Sequence, residues 1–260
     1  MYTVDVLVQG FPGKAVCHGG LGWSTISLIR GHGRVMLLDV GAFGVRRTLK
    51  EQLTKVGVAP DEVTDVVLTH AHYDHAVNFT LFPQATVWIG EAELQWAAAQ
   101  LPGFNPLPEL YVRELQASPR VRHVRPGERF LPGLQAIAAP GHTPGHLVFL
   151  LDGAQAPVLF TGDAAKNRAE LQGMRVDASL DHAASGASLQ AIWDIWRAAP
   201  GTILVPGHDL SMVLDHAGKP QYTAERQGQI AAWFGETLAE QSIIDLCCPS
   251  PPGLFRNLVS

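Results

Sequence analysis

Apolar residues along this chain return in short, strand-length runs, broken by glycine and proline. Residues 2–9 (YTVDVLVQ) alternate apolar and polar side chains and predict a strand with one buried face. A glycine-rich loop follows (GFPGKAVCHGGLGWS, 10–24). The runs STISLIR (24–30) and RVMLLDV (34–40) then flank a GHG turn, as in a hairpin. The next segment, VRRTLKEQLTKVG (45–57), has helical spacing and ends on Gly57. DVVLT (65–69) and ATVWIG (85–90) read as buried strands, and EAELQWAAAQ (91–100) as a helix. Residues 101–120 hold four prolines and predict irregular structure. Strand patterns resume at 121–127, 133–139, 146–151 and 157–163, followed by a helix over 188–199, a strand over 202–209 and a last helix over 223–246.

The order is strands, helix, strands, helix, in two halves, with no linker and no short repeat between them. It predicts an α+β fold of two packed sheets with helices outside. A single domain is expected over 1–246, with an inserted helix and loop near 91–120 and a tail at 247–260.

Composition narrows the function classes. At 260 residues and 47% hydrophobic, the chain can bury a substantial core. A net charge of −5 gives no footprint for nucleic acid. No apolar run is long enough to span a bilayer, so no membrane association is expected. Three sparse cysteines (Cys17, Cys247, Cys248) and the lack of a basic segment ahead of an apolar one predict a reducing, cytoplasmic setting. The expected partner is a small-molecule substrate, and a homodimer is allowed.

Candidate chemistry sits at the ends of the apolar strands. DVVLT runs into HAHYDH, which places His70, His72, Asp74 and His75 within six positions. AIAAPGHTPGH supplies His142 and His146, VLFTGD supplies Asp163, and ILVPGHD supplies His208 and Asp209. Sheet proteins collect functional loops at one edge, so these residues can converge. Imidazole and carboxylate suit zinc, with iron and manganese able to serve. The donors exceed what one four-coordinate zinc needs, which argues for two divalent ions sharing a carboxylate. Lys166, three residues after Asp163, and His18, in the glycine-rich loop, are candidate substrate contacts.

HAHYDH, PGHTPGH, FTGD and PGHD, in that order and preceded by LLDVG, resemble the motifs of the metallo-β-lactamase-fold superfamily over about residues 24–209. The resemblance implies an αββα sandwich with its metals at one edge. It implies that His70, His72 and His142 hold one metal, that Asp74, His75 and His208 hold the other, and that Asp163 bridges them. Asp39 and His146 match positions that orient ligands, and Asp74 and Asp163 are the catalytic candidates. The implied reaction is hydrolysis, with a metal-bound hydroxide attacking a lactone or other carboxylic ester. GHTPGH and the GDA turn resemble quorum-signal lactonases, although Lys166 stands where those carry a tyrosine and HAVN replaces HAGG. A glutathione thioester, a β-lactam or a phosphodiester is the alternative substrate. A mononuclear iron persulfide dioxygenase is the alternative of another class.

Overall fold

The computed structural model describes residues 1–15, 17–18, 20–104 and 106–247. Residues Met1–Thr223 form one compact unit, and a second begins at Ala224.

The first unit is built on two sheets that follow chain order. The first sheet runs β1 (Thr3–Val8), β2 (Ile26–Gly31), β3 (Arg34–Leu38), β4 (Asp65–Val67), β5 (Thr86–Gly90) and β6 (Val121–Val124), each beside the next. Its first pairings are antiparallel hairpins, and β3 through β6 are parallel. The chain then crosses to the second sheet: β7 (Arg129–Leu131), β8 (Leu134–Ala138), β9 (Leu147–Leu151), β10 (Val158–Gly162), β11 (Ile203–Pro206), β12 (Met212–Leu214) and β13 (Pro220–Tyr222). Only β10 and β11 are parallel there.

The two-residue period of the strands divides the core into layers. Ile29, Met36, Leu38 and Val67 of the first sheet meet Phe149, Phe160 and Val205 of the second in a central cluster. Their neighbours Leu28, Leu37 and Val66 point the other way, toward Leu49 and Leu53 of α1 (Arg46–Lys55). Val148, Leu159 and Leu204 likewise face outward, against Leu189, Ile192 and Trp196 of a long helix over His182–Ala198. Helix, sheet, sheet and helix therefore stack as the αββα sandwich that the resemblance implied, and as the two packed sheets with outer helices that the order of elements predicted.

The remaining helices are α2 (Tyr73–Ala76), α3 (Glu91–Ala99), α4 (Glu109–Ala117) and α5 (Arg168–Gly173), and the long one is α6. Three expectations need correction. Residues 101–120 are not irregular throughout, because α4 occupies half of them and buries Val112 and Leu115. Three of the four prolines precede this helix, with Pro108 as its N-cap, and Pro119 follows it, so they bound the helix rather than break it. Helix α6 begins six residues before the expected start, where Asp181 accepts hydrogen bonds from the N–H groups of Ala183 and Ala184. The helix expected over 223–246 is instead a two-stranded hairpin, β14 (Gln229–Ala232) with β15 (Ser242–Asp245). Gly228 and Gly235 each cost a helix about 1 kcal/mol, and Ile243 and Ile244 favour strand. The expected tail, 247–260, lies outside the described residues apart from Cys247. Among the described residues no helix is long and apolar enough to cross a membrane.

Candidate metal centre

The ligand candidates converge where strands of both sheets end. β4 leads through Leu68 and Thr69 into His70, and the short helix α2 carries Asp74 and His75. From the second sheet, His142 precedes β9, Asp163 follows β10, and His208 follows β11. Among the described residues, three groups have ligating atoms within 4.8 Å of one another: His70, His72 and His142; His70, His75 and Asp163; and Asp74, His75 and His208.

Distances within the cluster are those of ligands around a shared centre. His75 Nε2 lies 3.3 Å from His208 Nε2, and Asp163 Oδ1 lies 3.1 Å from the first and 3.2 Å from the second. Asp74 Oδ2 is 3.3 Å from His208 Nε2 and 3.9 Å from His75 Nε2. On the other side, His142 Nε2 lies 2.9 Å from His72 Nδ1 and 3.3 Å from Asp163 Oδ2. Bonds of about 2.0–2.1 Å to a tetrahedral ion place neighbouring donor atoms about 3.3 Å apart. The two oxygens of Asp163 thus face the two halves of the cluster.

Hydrogen bonds on the far side of three of the rings, His75, His142 and His70, fix which nitrogen is left with its lone pair. The Nδ1–H of His75 donates to Asp39 Oδ2 at 2.8 Å, and that of His142 to the Ala178 carbonyl at 2.8 Å. His70 Nδ1 lies 3.0 Å from Thr69 Oγ1, which donates to Asp39 Oδ2 at 2.9 Å. The consistent chain of donation runs from His70 through Thr69 to Asp39. Each Nε2 is then an acceptor aimed into the cluster. Asp39 can serve both histidines because it sits in the left-handed region, at φ +53°, and also accepts from the Thr69 N–H at 2.9 Å. His146 Nε2 accepts the backbone N–H of Asp163 at 3.0 Å, which anchors that residue.

Two buried acceptors, His70 Nε2 and Asp163 Oδ1, have no hydrogen-bond partner. Such groups are costly unless something cationic satisfies them. Protonation does not fill this role at His70, whose pKa is held well below the usual histidine value by burial and by the neighbouring His75 and His72. Burial does the same to His72, and lowers His142 to about 4. His75 is the exception: burial opposes its charge, but Asp163, Asp39 and Asp74 together raise its pKa. Burial also opposes the charge of Asp163, and His208, His75 and His142 more than offset it. Neutral His70, His72 and His142 beside an ionised Asp163 are the protonation states in which these groups bind metal, and a cation would take the place of the proton that the three carboxylates favour on His75, so the donor set fits metal cations.

A cavity of about 840 Å³ opens onto the cluster, lined at its floor by His72, Asp74, His142, Asp163 and His208. Lys166 also lines it, but its ammonium is already paired with Glu170 Oε1 at 3.0 Å. His18 is exposed in its loop and is not among the described residues lining the cavity.

One important side chain went unnoticed in the sequence. Glu93 of α3 is fully buried. Its Oε1 accepts the N–H of Ala71, and its Oε2 accepts the Thr143 hydroxyl at 2.7 Å and the Gly145 N–H. It therefore fastens the HAHYDH loop to the PGHTPGH loop. Gly145 is required at that point, because a Cβ there would collide with the backbone of Glu93. The available signal was an acid on the same helical face as Ala97, one turn on, and beside Leu94, both of which are buried.

A family model described as the metallo-beta-lactamase superfamily matches residues 19–208. An N-acyl homoserine lactonase of Bacillus sp is 26% identical over 173 residues, 65% of this chain and 65% of the relative. Metallo-beta-lactamase domain-containing protein 1 of Xenopus laevis is 29% identical over 164 residues, 62% of this chain and 63% of the relative. The matched segments thus span less than two thirds of either relative. Among solved structures, AidC, a dizinc quorum-quenching lactonase in complex with a product, aligns with a TM-score of 0.65 at 18% identity, covering 78% of this chain and 80% of AidC.

Proposed function

The chain belongs to the metallo-beta-lactamase superfamily, and on that premise we propose that it is a two-metal hydrolase acting on a lactone or other carboxylic ester. The observation that carries this reading is Asp163, whose Oδ1 lies 3.1 Å from His75 Nε2 and whose Oδ2 lies 3.3 Å from His142 Nε2. His70, His72 and His142 would hold one ion, and Asp74, His75 and His208 the other, with Asp163 shared. Zinc suits this set of imidazoles and carboxylates best. When bound, the ions supply a nucleophile at neutral pH and polarise the substrate carbonyl.

The protein's own side chains hold and orient. Asp39 keeps the proton on His75 Nδ1, so that Nε2 faces inward. Asp74 lines the cavity and lies 3.3 Å from His208 Nε2, placed to exchange a proton with bound substrate. The volume of the cavity, about 840 Å³, suits a small molecule. The lactonase relative supports the choice of an ester carbonyl as the group attacked.

The test is a competition among an acyl lactone, a glutathione thioester, a β-lactam, a phosphodiester and glutathione persulfide, followed by mass spectrometry on protein loaded with zinc and, separately, with ferrous iron. Asp163→Asn serves as the control and should lower both the metal count and turnover. Preferential lactone opening is the expected result. Oxygen-dependent loss of the persulfide alone would replace hydrolysis with iron-dependent oxygenation.

A further inference from the structure

The cavity above the ligand cluster carries charge of its own. Besides histidines, the cations lining it are Lys14, Lys166 and Arg175, and the carboxylates outside the ligand set are Glu170 and Asp177. Two of the three cations already have partners. The Lys166 ammonium lies 3.0 Å from Glu170 Oε1, in a pair whose side chains are largely buried, and it also donates to the Asp177 carbonyl. Lys14 is ion-paired with the Asp177 carboxylate. These pairs occupy both carboxylates. Arg175 is then the one lining cation, among the described residues, with neither an ion pair nor a side-chain hydrogen bond. Its backbone is tied down. The Arg175 N–H donates to the Glu170 carbonyl at 3.3 Å, and the next residue, Val176, is buried in the outer core.

We propose that Arg175 is the anion-recognising residue of this cavity, and that the substrate carries a second oxyanion, a carboxylate or a phosphate, apart from the bond that is cut. This rests on the hydrolase reading above. A guanidinium presents a planar fork that takes either oxyanion through two parallel N–H···O bonds. Lys166, the residue that sequence position alone would choose, has its charge answered internally and is left to hold α5 in place. Arg175 faces the same cavity with its charge unanswered.

Three aryl esters that differ only in a pendant group (a carboxylate, a phosphate or a primary amide) test the assignment on zinc-loaded protein. The wild type should favour one of the anionic esters over the amide at least tenfold in kcat/KM, and the preferred anion identifies the pendant group. Arg175→Gln should reduce that preference about tenfold, chiefly through KM, and Arg175→Lys should keep part of it. Added salt should erode the preference in the wild type more than in Arg175→Gln. No preference in the wild type, or the same preference in Arg175→Gln, would overturn the proposal. If none of the esters is cut, calorimetry with the non-hydrolysable amide analogues of the same compounds decides the anion subsite alone, and the lactone competition above decides the hydrolase reading. Weaker binding of the anionic analogue to Arg175→Gln sustains the subsite, and equal binding removes it.

Discussion

Replacing Glu93 by glutamine changes two atoms and keeps the shape of the side chain. The carboxylate faces only donors: Ala71 N–H at 2.9 Å, Thr143 Oγ1 at 2.7 Å and Gly145 N–H at 3.2 Å. An amide has one acceptor oxygen, so in either orientation its NH2 confronts a backbone N–H. A buried donor without an acceptor costs roughly 1–3 kcal/mol. The loss depends on pH. Burial raises the pKa of Glu93 from 4.5 to about 7, against the opposing pull of its three hydrogen bonds. The folded protein therefore holds an extra proton between these values, and its stability falls as pH rises through that window. Glutamine does not titrate. The advantage of the wild type over Glu93→Gln should be largest near pH 5 and shrink toward pH 8, by an amount on the order of 3 kcal/mol at most. Urea unfolding of chelator-treated protein at both pH values measures the gap, because every other titrating group is common to the pair. A gap that stays constant or widens with pH would refute the argument.

Gly145→Ala should cost about 3 kcal/mol, because the new methyl meets the immobile backbone of α3; thermal unfolding reads the loss. Asp39→Ala removes the acceptor shared by Thr69 and His75 and should weaken metal binding roughly 10–100-fold, measured by competition with a chromophoric chelator. Lys166→Met strips the buried Glu170 of its counter-charge and should destabilise the protein by about 3 kcal/mol in urea, whatever substrate is present.

The candidate ligand cluster was legible because its members follow strands whose apolar runs are unmistakable, as in VVLTH and VLFTGD. The sandwich was legible from the same runs, whose two-residue period leaves few ways to bury both faces. What escaped was local or relational. The start of α6 is set by the cap at Asp181 and not by any apolar stripe, since most of its first turn is exposed. Helix α4 was hidden by the prolines before it. In the terminal hairpin the alanines and leucine favour a helix, and two glycines alone do not announce a strand pair. Glu93 acts through partners 22, 50 and 52 residues away, which no periodicity reports. Lys166 and Glu170 stand four apart, a spacing the sequence shows, but the burial that commits the lysine to this pair is not visible there.

The crossing of the chain from one sheet to the other gives the centre a mechanical meaning. His70, His72, Asp74 and His75 come from the first sheet, and His142, Asp163 and His208 from the second. An ion held by both sets would be a rivet between halves that are otherwise joined by the apolar layer between the sheets and by polar contacts such as those of Glu93. Neither half alone presents a complete coordination set, so tight binding must await docking, and any ion bound only after docking pulls the equilibrium toward the assembled sandwich. Chelation should then loosen the seam between the sheets before it melts either one, and amide exchange along β3 and β10 would show which gives way first.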